Sequence, residues 1–266
     1  MPEGDTIWRE AHELQRRLVG RRVTAARPAA LSRLVGSELL RVEPVGKHLY
    51  MHFSTGVVLH THMRMTGAWH VYASAERRRR AVHLTTAVLD FGDVQAILFA
   101  APVCELVPAE SVGAGLGPDI LDSAFDVAEV VARARVSPRP TVAEVLLDQA
   151  VCAGIGNIFR CEALWYQRID PMSAPRHLDD AALAALYNRA RDLMRRAAVA
   201  DRFRARRGVH GRAGTPCAVC GTLICAAPLG TPSRVVFWCA GCQSEDGARG
   251  NATAAGAVTK PAAPNA

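Results

Sequence analysis

The stretch that decides the fold is LLDQAVCAGIGNIFRCEALW, residues 146–165. One helical pattern ends near Ala150, and a second begins at or just after Asn157. Gly154 and Gly156 lie between them and allow a tight turn whose backbone can approach a ligand closely. Amides at the start of a helix are suited to holding a phosphate. The segment therefore predicts two helices joined by a turn that contacts a phosphate group.

Short β-like runs lie upstream of this stretch and follow an amphipathic helix predicted over Asp5–Leu18. The six runs are ELLRVEPV, KHLYMHF, GVVLHTHM, AWHVYA, HLTTAVLDF and DVQAILFA. Turn residues such as Ser54-Thr55-Gly56 and Gly92-Asp93 separate them. This pattern indicates an antiparallel sandwich or a barrel-like sheet.

Helical patterns replace the β-like runs from about Phe125 onward. They are FDVAEVVARAR, TVAEVLLDQA, NIFRCEALWYQ and LDDAALAALYNRARDLMRRAAVA. Thr141 begins the second of them, and Glu144 follows three residues later, which is the spacing of a capping box. Strands first and helices later favour an α+β protein.

The cysteines give the strongest local signal, C-x2-C-x18-C-x2-C. Its members are Cys217, Cys220, Cys239 and Cys242. Two such pairs supply four thiolates in tetrahedral geometry, which suits one structural Zn²⁺, and the segment between them reads as a β-hairpin. Cys225 lacks a CxxC partner. We expect Cys104, Cys152 and Cys161 to be core thiols.

The charge of the chain favours a polyanionic partner. The formal net charge is +7, and nine arginines lie between residues 189 and 212. Arg77–Arg80 form a second basic run, for which a solvated loop is an equal alternative. Thirty of the 32 basic residues are arginine, so Lys47, the only lysine besides Lys260, indicates a position that needs a compact, deprotonatable amine.

The remaining composition bears on location. No apolar run approaches the roughly 18–20 residues of a membrane span, and the start lacks a secretory pattern. Eight cysteines in such a chain point to thiols and metal ligands rather than to disulfides. We expect a cytoplasmic monomer with no membrane association, and a disordered tail over residues 244–266.

Four motifs, in this order, resemble the formamidopyrimidine-DNA glycosylase/endonuclease VIII family of bifunctional DNA repair enzymes. They are MPEG at the start, VGKHL, LLDQAVCAGIGNIF, and the ribbon from VHGR through SRVVFWCAGC. The resemblance covers about residues 2–243 and implies a DNA glycosylase and AP lyase whose partner is DNA containing oxidised bases or abasic sites. We divide the chain into a catalytic β-sandwich domain (1–122), a helix–two-turns–helix domain (123–208), a zinc finger (209–243) and the tail.

The resemblance also implies roles for individual residues. Pro2, once Met1 is removed, is the nucleophile that attacks C1′ of the damaged nucleotide. An α-amino group titrates near 7.7–8.0, against about 10.4 for lysine, so more of it is free base at neutral pH. Glu3 matches the family's acid/base residue, and Lys47 matches its lysine of β-elimination. Arg234 matches the arginine that binds phosphates and takes part in δ-elimination. Asn157 matches an asparagine that contacts the DNA backbone.

Excision requires the damaged nucleotide to leave the stack, and a side chain then fills the gap. HTHMRMTG resembles the family loop that supplies this wedge, with Met65 as first candidate and Arg64 as second; a Met65 packed in the sheet core is the alternative. Thr6 departs from the family, which commonly carries Glu there. The short stretch 201–208 and the MPEG start favour the endonuclease VIII branch and oxidised pyrimidines.

Three alternatives stay open at this stage: an oxidised-purine glycosylase, a non-catalytic damaged-DNA-binding protein of the same fold, and a zinc-ribbon transcription or ribosome factor. The last leaves the MPEG start unexplained.

Overall fold

Two four-stranded antiparallel sheets form the N-terminal half of the protein, and helices with one small hairpin form the rest. The computed structural model describes residues 2–73, 76, 79–200, 207–230 and 233–244. The predicted α+β class is confirmed. Of the sequence predictions, the Arg77 and Arg78 positions, residues 201–206 and the tail from 245 onward lie outside the described residues.

The first helix, α1 (Gly4–Leu18), begins one residue before the predicted start. Its buried face carries Ile7, Leu14 and Leu18 at helical spacing. These side chains belong to the core of the two sheets, so the helix anchors the N-terminus of the chain on the β half.

Eight strands make up the two sheets. They are β1 (Ala25–Arg27), β2 (Leu39–Val45), β3 (His48–Phe53), β4 (Val57–His62), β5 (Ala68–Ala73), β6 (Thr85–Asp90), β7 (Val94–Phe99) and β8 (Val103–Pro108). One sheet has the order β1-β6-β7-β5 and the other β2-β3-β4-β8. Leu49 and Leu59 of one sheet share a buried cluster with Leu89 and Leu98 of the other. The predicted sandwich is confirmed.

Six of the strands coincide with the predicted runs, whereas β1 and β8 were not predicted. The β1 strand has only three residues, too few for a periodic pattern. The β8 segment VCELVP ends in proline, which weakens a strand pattern, yet β8 is an edge strand that pairs only with β4.

Five α-helices lie in the described part of the chain, and the last four follow the sheets: α2 (Val127–Val136), α3 (Val142–Leu147), α4 (Asn157–Tyr166) and α5 (Asp180–Val199). Thr141 caps α3, because its Oγ1 accepts from the amide of Glu144 at 3.3 Å and donates to that carboxylate at 2.7 Å. Leu146, Phe159 and Leu186 lie in a second buried cluster, separate from the sheet core. The predicted helix–turn–helix arrangement is confirmed.

The hairpin consists of β9 (Ile224–Leu229) and β10 (Arg234–Cys239), which pair in antiparallel register as the sequence predicts. Its apolar cluster is small and includes Cys217, Cys239 and Cys242. Of the helices in the described part of the chain, none is long and apolar enough to cross a bilayer.

Candidate active site

One cleft of about 590 Å³ lies where the two halves and the hairpin meet. Its lining includes all seven predicted site residues other than the cysteines: Pro2, Glu3, Lys47, Arg64, Met65, Asn157 and Arg234. They come from the start of α1, the β2–β3 turn, the β4–β5 loop, the start of α4 and the start of β10. The fold thus brings together residues that are separated by up to 232 positions in the chain.

Glu3 is fully buried and caps helix α4. Its carboxylate accepts from the amides of Ile158 at 2.9 Å and Phe159 at 3.5 Å. Burial raises the pKa of this carboxyl group, although the two amides and Lys47 oppose the shift. A Cβ on Gly156 would lie 2.1 Å from Glu3 Cδ, so only glycine leaves room for this contact.

The interpretation of this turn as a phosphate contact needs a correction. The Ile158 and Phe159 amides, which we expected to face a phosphate, are bound to the Glu3 carboxylate of the protein itself. A carboxylate can accept the same amide hydrogen bonds as a phosphate, and its negative charge also interacts favourably with the positive end of the helix dipole. The glycines admit the N-terminus instead, and Gly4 donates its amide to the carbonyl of Gly154 at 3.1 Å.

Lys47 lies close to this cap. Its Nζ donates to the carbonyl oxygen of Ile155 at 2.5 Å. Burial lowers the pKa of Lys47 to about 8; Glu3 opposes the shift, and the charges of Arg234 and Arg160 add to it. Lys47 therefore loses its proton more readily than an ordinary lysine, which is consistent with the hypothesis drawn from a lone lysine in an arginine-rich chain.

The turn that carries Lys47 is held from the helical half. The amide of Gly46 donates to Asp119 Oδ2 at 2.8 Å, and Gly46 adopts φ 61°, which glycine tolerates best. Leu121 donates its amide to the other oxygen of Asp119 at 2.8 Å. Asp119 thus fixes the Lys47 turn against the segment that enters the helices.

Arg64 and Met65 lie on the loop between β4 and β5. Arg64 adopts φ 48°, a left-handed conformation that non-glycine residues rarely take, and its amide donates to His62 Nδ1 at 3.1 Å. Met65 is 56% exposed, whereas Met63 is buried in the core. The alternative of a core-packed Met65 is therefore wrong, and Met63 fills that place.

Asn157 ties the start of α4 to the hairpin. Its Nδ2 donates to the carbonyl of Val235 at 2.9 Å and lies 3.2 Å from His210 Nε2. Arg160 is fully buried, donates to Asn157 Oδ1 and reaches the Val235 carbonyl at 3.4 Å. These contacts fix the strand on which the exposed Arg234 enters the cleft.

Sequence reasoning missed a further carboxylate that binds backbone amides. Glu162 accepts from the amides of Gly208 at 2.8 Å, Val209 at 3.1 Å and His210 at 2.9 Å. Burial, with the charges of Arg207 and Arg160, lowers the pKa of His210 to about 4. Glu162 thereby docks the segment before the hairpin on α4; an acid among the apolar residues of CEALW was the available signal.

The four predicted cysteines form one cluster. All four Sγ atoms lie within 4.8 Å of one another, with Cys220 3.3 Å from Cys239 and Cys217 3.8 Å from Cys242. Four thiolates around a tetrahedral ion at about 2.3 Å would be about 3.8 Å apart, so the cluster fits a four-coordinate metal site. Cys225 lies outside the cluster.

The predicted core thiols match the structure in two cases and partly in the third. Cys152 and Cys161 are buried, and the Sγ of Cys161 accepts from the amide of Phe237 at 3.4 Å. Cys104 is only partly buried against the sheet core.

Three histidines in the cleft were also missed: His48, His60 and His62. They lie on the adjacent strands β3 and β4, where His48 is opposite His62 in register. The alternation of KHLYMH and LHTH along the two strands was the signal that placed them on one face.

Comparison with family models gives two matches. The model of the formamidopyrimidine-DNA glycosylase N-terminal domain matches residues 1–102. The model of the formamidopyrimidine-DNA glycosylase H2TH domain matches residues 116–206. Together they cover more than half of the chain and include strands β1 to β7, the Lys47 turn and the helix–turn–helix.

Curated relatives match over nearly their whole length. The chain is 34% identical to "Probable endonuclease 8 2" of Streptomyces coelicolor, over 92% of this chain and 94% of that protein. It is 35% identical to "Endonuclease 8 2" of Mycobacterium bovis (91% and 100%) and 32% identical to "Endonuclease 8" of Escherichia coli (91% and 100%).

A solved structure of Lactococcus lactis formamidopyrimidine-DNA glycosylase, bound non-covalently to DNA containing an AP site, shares the fold. The TM-score is 0.80 at 21% sequence identity, over 92% of this chain and all of that one. With a sandwich, a helix–turn–helix and a cysteine hairpin around one cleft, and with these matches along most of its length, the chain belongs to the formamidopyrimidine-DNA glycosylase family, and the curated relatives named above are endonucleases 8.

Proposed function

We propose that this protein is a bifunctional DNA glycosylase and AP lyase of base excision repair that acts through an N-terminal proline. The observation that carries the proposal is the single cleft in which Pro2 lies with Glu3, Lys47 and Arg234. An amine, a buried carboxyl group and two cations in one place supply a nucleophile, a proton carrier and phosphate contacts. The matched endonucleases 8 support the same activity.

The proposed nucleophile is the imino nitrogen of Pro2, freed when Met1 is removed. A terminal amine titrates near 7.7–8.0, so about a third of it is free base at pH 7.5. Attack on C1′ of the damaged nucleotide displaces the base. Because proline is a secondary amine, the product is a cationic iminium, which acidifies the C2′ proton and drives loss of the phosphates.

Glu3 is the proposed proton carrier of the glycosylase step. Burial raises the pKa of its carboxyl group, so it can carry a proton closer to neutral pH than an ordinary glutamate. The amides of Ile158 and Phe159 hold the carboxylate in a fixed orientation next to the nucleophile. We propose that it protonates the sugar ring oxygen as the ring opens.

Lys47 and Arg234 serve the elimination steps. With a pKa of about 8, Lys47 is mostly cationic at neutral pH, can contact a phosphate and can release a proton. Arg234 lies at the hairpin end of the cleft, where an always-charged guanidinium can bind phosphate oxygens in bidentate fashion. We assign β-elimination to Lys47 and δ-elimination to Arg234.

Arg64, Met65 and Asn157 are the proposed DNA-binding residues. Met65 is an exposed apolar side chain at the cleft, which suits a wedge that replaces the everted nucleotide, with Arg64 beside it. Asn157 lies at the cleft and braces the hairpin through Val235, so we propose that it contacts the backbone while it fixes Arg234.

We propose that the four-cysteine site holds a structural Zn²⁺, because a closed Cys₄ set of this spacing suits zinc. The site keeps the hairpin and Arg234 in place. We further propose oxidised pyrimidines as the preferred lesions, a cytoplasmic monomer that binds the nucleoid DNA, and the domain division given by the sequence at residues 122, 208 and 243.

Borohydride trapping on duplex DNA that contains an abasic site or an oxidised pyrimidine tests the proposal. Wild-type protein should give a covalent complex, and Pro2→Gly or protein that retains Met1 should give none. Tight binding without a trapped species in the wild type would instead support a non-catalytic damaged-DNA-binding protein.

A further inference from the structure

A chain of hydrogen-bonded side chains joins the cleft to the protein surface. His60 on β4 is directly opposite Glu105 on β8, and its Nδ1 lies 3.0 Å from Glu105 Oε1. The other ring nitrogen of His60, Nε2, lies 2.8 Å from His48 Nδ1. The Glu105 side chain is 58% exposed, whereas His48 lines the cleft next to Lys47. Two hydrogen bonds therefore connect an exposed carboxylate to the cleft.

The carboxylate fixes the tautomer of both rings. An ionised carboxylate only accepts hydrogen bonds, so His60 must donate from Nδ1. A neutral His60 then carries a lone pair at Nε2, and His48 must donate to it from Nδ1. His48 Nε2 is left with a lone pair, which makes it a proton acceptor.

Neighbouring rings hold the chain in place. Tyr50 stacks on His60 with ring centroids 4.8 Å apart, and His62 meets the His48 ring edge-on at 4.7 Å. Burial, with the charges of His62, His60 and Lys47, lowers the pKa of His48 to about 4. The ring is thus unprotonated at neutral pH, and the phosphates of bound DNA would shift the pKa back upward.

Two other titratable groups of the cleft, Glu3 and Lys47, are already engaged. The Glu3 carboxylate accepts from the amides of Ile158 and Phe159, and Lys47 donates to the Ile155 carbonyl. His48 therefore offers a lone pair that the proposed mechanism does not yet use.

Resting on the proposed lyase function, we propose that His48 accepts the C2′ proton of the deoxyribose in β-elimination, and that His60 and Glu105 are positioning residues that hold it in the accepting tautomer. The C2′–H bond breaks, and its electron pair forms the C1′=C2′ bond as the iminium becomes an enamine. The C3′–O bond then breaks, the phosphate leaves with its electron pair, and a conjugated iminium forms. His48 Nε2 holds the proton, and Glu105 stabilises the positive charge through His60.

The test separates formation of the covalent complex from strand cleavage. In single-turnover reactions on abasic-site DNA, His48→Ala should still be trapped by borohydride at near wild-type yield. Its strand cleavage should be at least about 100-fold slower, the loss expected for a missing general base. Added imidazole should restore cleavage as its concentration rises, which a purely structural defect would not allow.

Glu105→Gln should slow cleavage less than His48→Ala does, because an amide no longer fixes the tautomer of His60. The matched control is Glu43→Gln. Glu43 Oε2 lies 2.7 Å from His52 Nε2, in a similar pair on the same sheet but outside the cleft lining. This control should cleave at the wild-type rate.

Equal loss of trapping and cleavage in His48→Ala, cleavage unchanged in that variant, or no rescue by imidazole would each overturn the assignment. Failure of wild-type protein to be trapped would instead contradict the proposed function itself, so the two failures are distinguishable.

Discussion

The cleft has two walls that are built in different ways: one carries Glu3 and Lys47, and the other, the hairpin wall, carries Arg234. Glu3 and Lys47 rest on the sandwich core and on α4, where a large cluster of buried aliphatic side chains surrounds α1. Arg234 rests on a hairpin whose small apolar cluster is made largely of cysteines. The groups proposed to make and break bonds are thus held by packing, and the group proposed to bind phosphate is held by a hairpin that carries the four-cysteine cluster.

This difference matches the precision that each task needs. A nucleophile and a proton carrier must be placed closely relative to the reacting atoms, and a close-packed core provides that rigidity. A phosphate contact tolerates more movement, so a small ribbon is enough if the proposed ion stabilises it. Perturbing the first wall should therefore lower mainly the reaction rate, and perturbing the hairpin wall should lower mainly the DNA affinity.

The largest effect is expected from removing the carboxylates that join the walls to α4. Glu3→Ala leaves the Ile158 and Phe159 amides unpaired, which costs about 1–3 kcal/mol of unfolding free energy, and it should slow base excision at least about 100-fold. Glu162→Ala also leaves buried amides unpaired but should weaken DNA binding more than the excision rate. Thermal unfolding and single-turnover excision measure the two effects; equal rate losses in both variants would contradict the comparison.

Loss of the metal should break the hairpin wall alone. We expect Cys239→Ser to lower DNA affinity about 10-fold or more and to add little to the loss caused by Arg234→Ala, because both remove the same phosphate contact. Titrations of DNA binding in the single and double variants, with metal content measured in parallel, test this. Additive losses would show that the ribbon acts through other residues.

The pH dependence of strand cleavage tests the role of Lys47. Its pKa is lowered to about 8, so the protonated donor is lost as the pH rises through that value. Strand cleavage should therefore decline above about pH 8, and Lys47→Arg, which stays charged, should lack that decline whatever its absolute rate. A wild-type profile that is flat from pH 7 to pH 10 would contradict the assignment.

The smallest effect is expected at the loop. Met65→Ala should change the unfolding free energy by less than about 0.5 kcal/mol, because the side chain is exposed. It should weaken binding to lesion-containing DNA severalfold while leaving binding to undamaged DNA unchanged. Met63→Ala is the contrasting variant, since that buried side chain should cost about 2–5 kcal/mol.

Much of this arrangement could be read from the sequence, because local patterns carry it. The alternation in β2–β7, the glycine turn before Asn157 and the paired CxxC motifs each depend on residues close in the chain. The strand β8, the Glu3 cap on α4 and the His48–His60–Glu105 chain depend on contacts between distant segments. A local alternation can place His48 and His60 on one face of their strands, but it does not show which distant groups they contact. For the same reason, the amides we assigned to phosphate proved to be bound by Glu3.

The proposed mechanism requires Pro2 to bond to the sugar, but a Lys47 with a pKa of about 8 is nearly as available as a terminal imino group. Peptide mapping by mass spectrometry of the borohydride-trapped complex decides directly which amine reacts. We expect the deoxyribose remnant on the N-terminal peptide PEGDTIWR, at Pro2. A remnant on the peptide that contains Lys47, with an unmodified N-terminus, would contradict it.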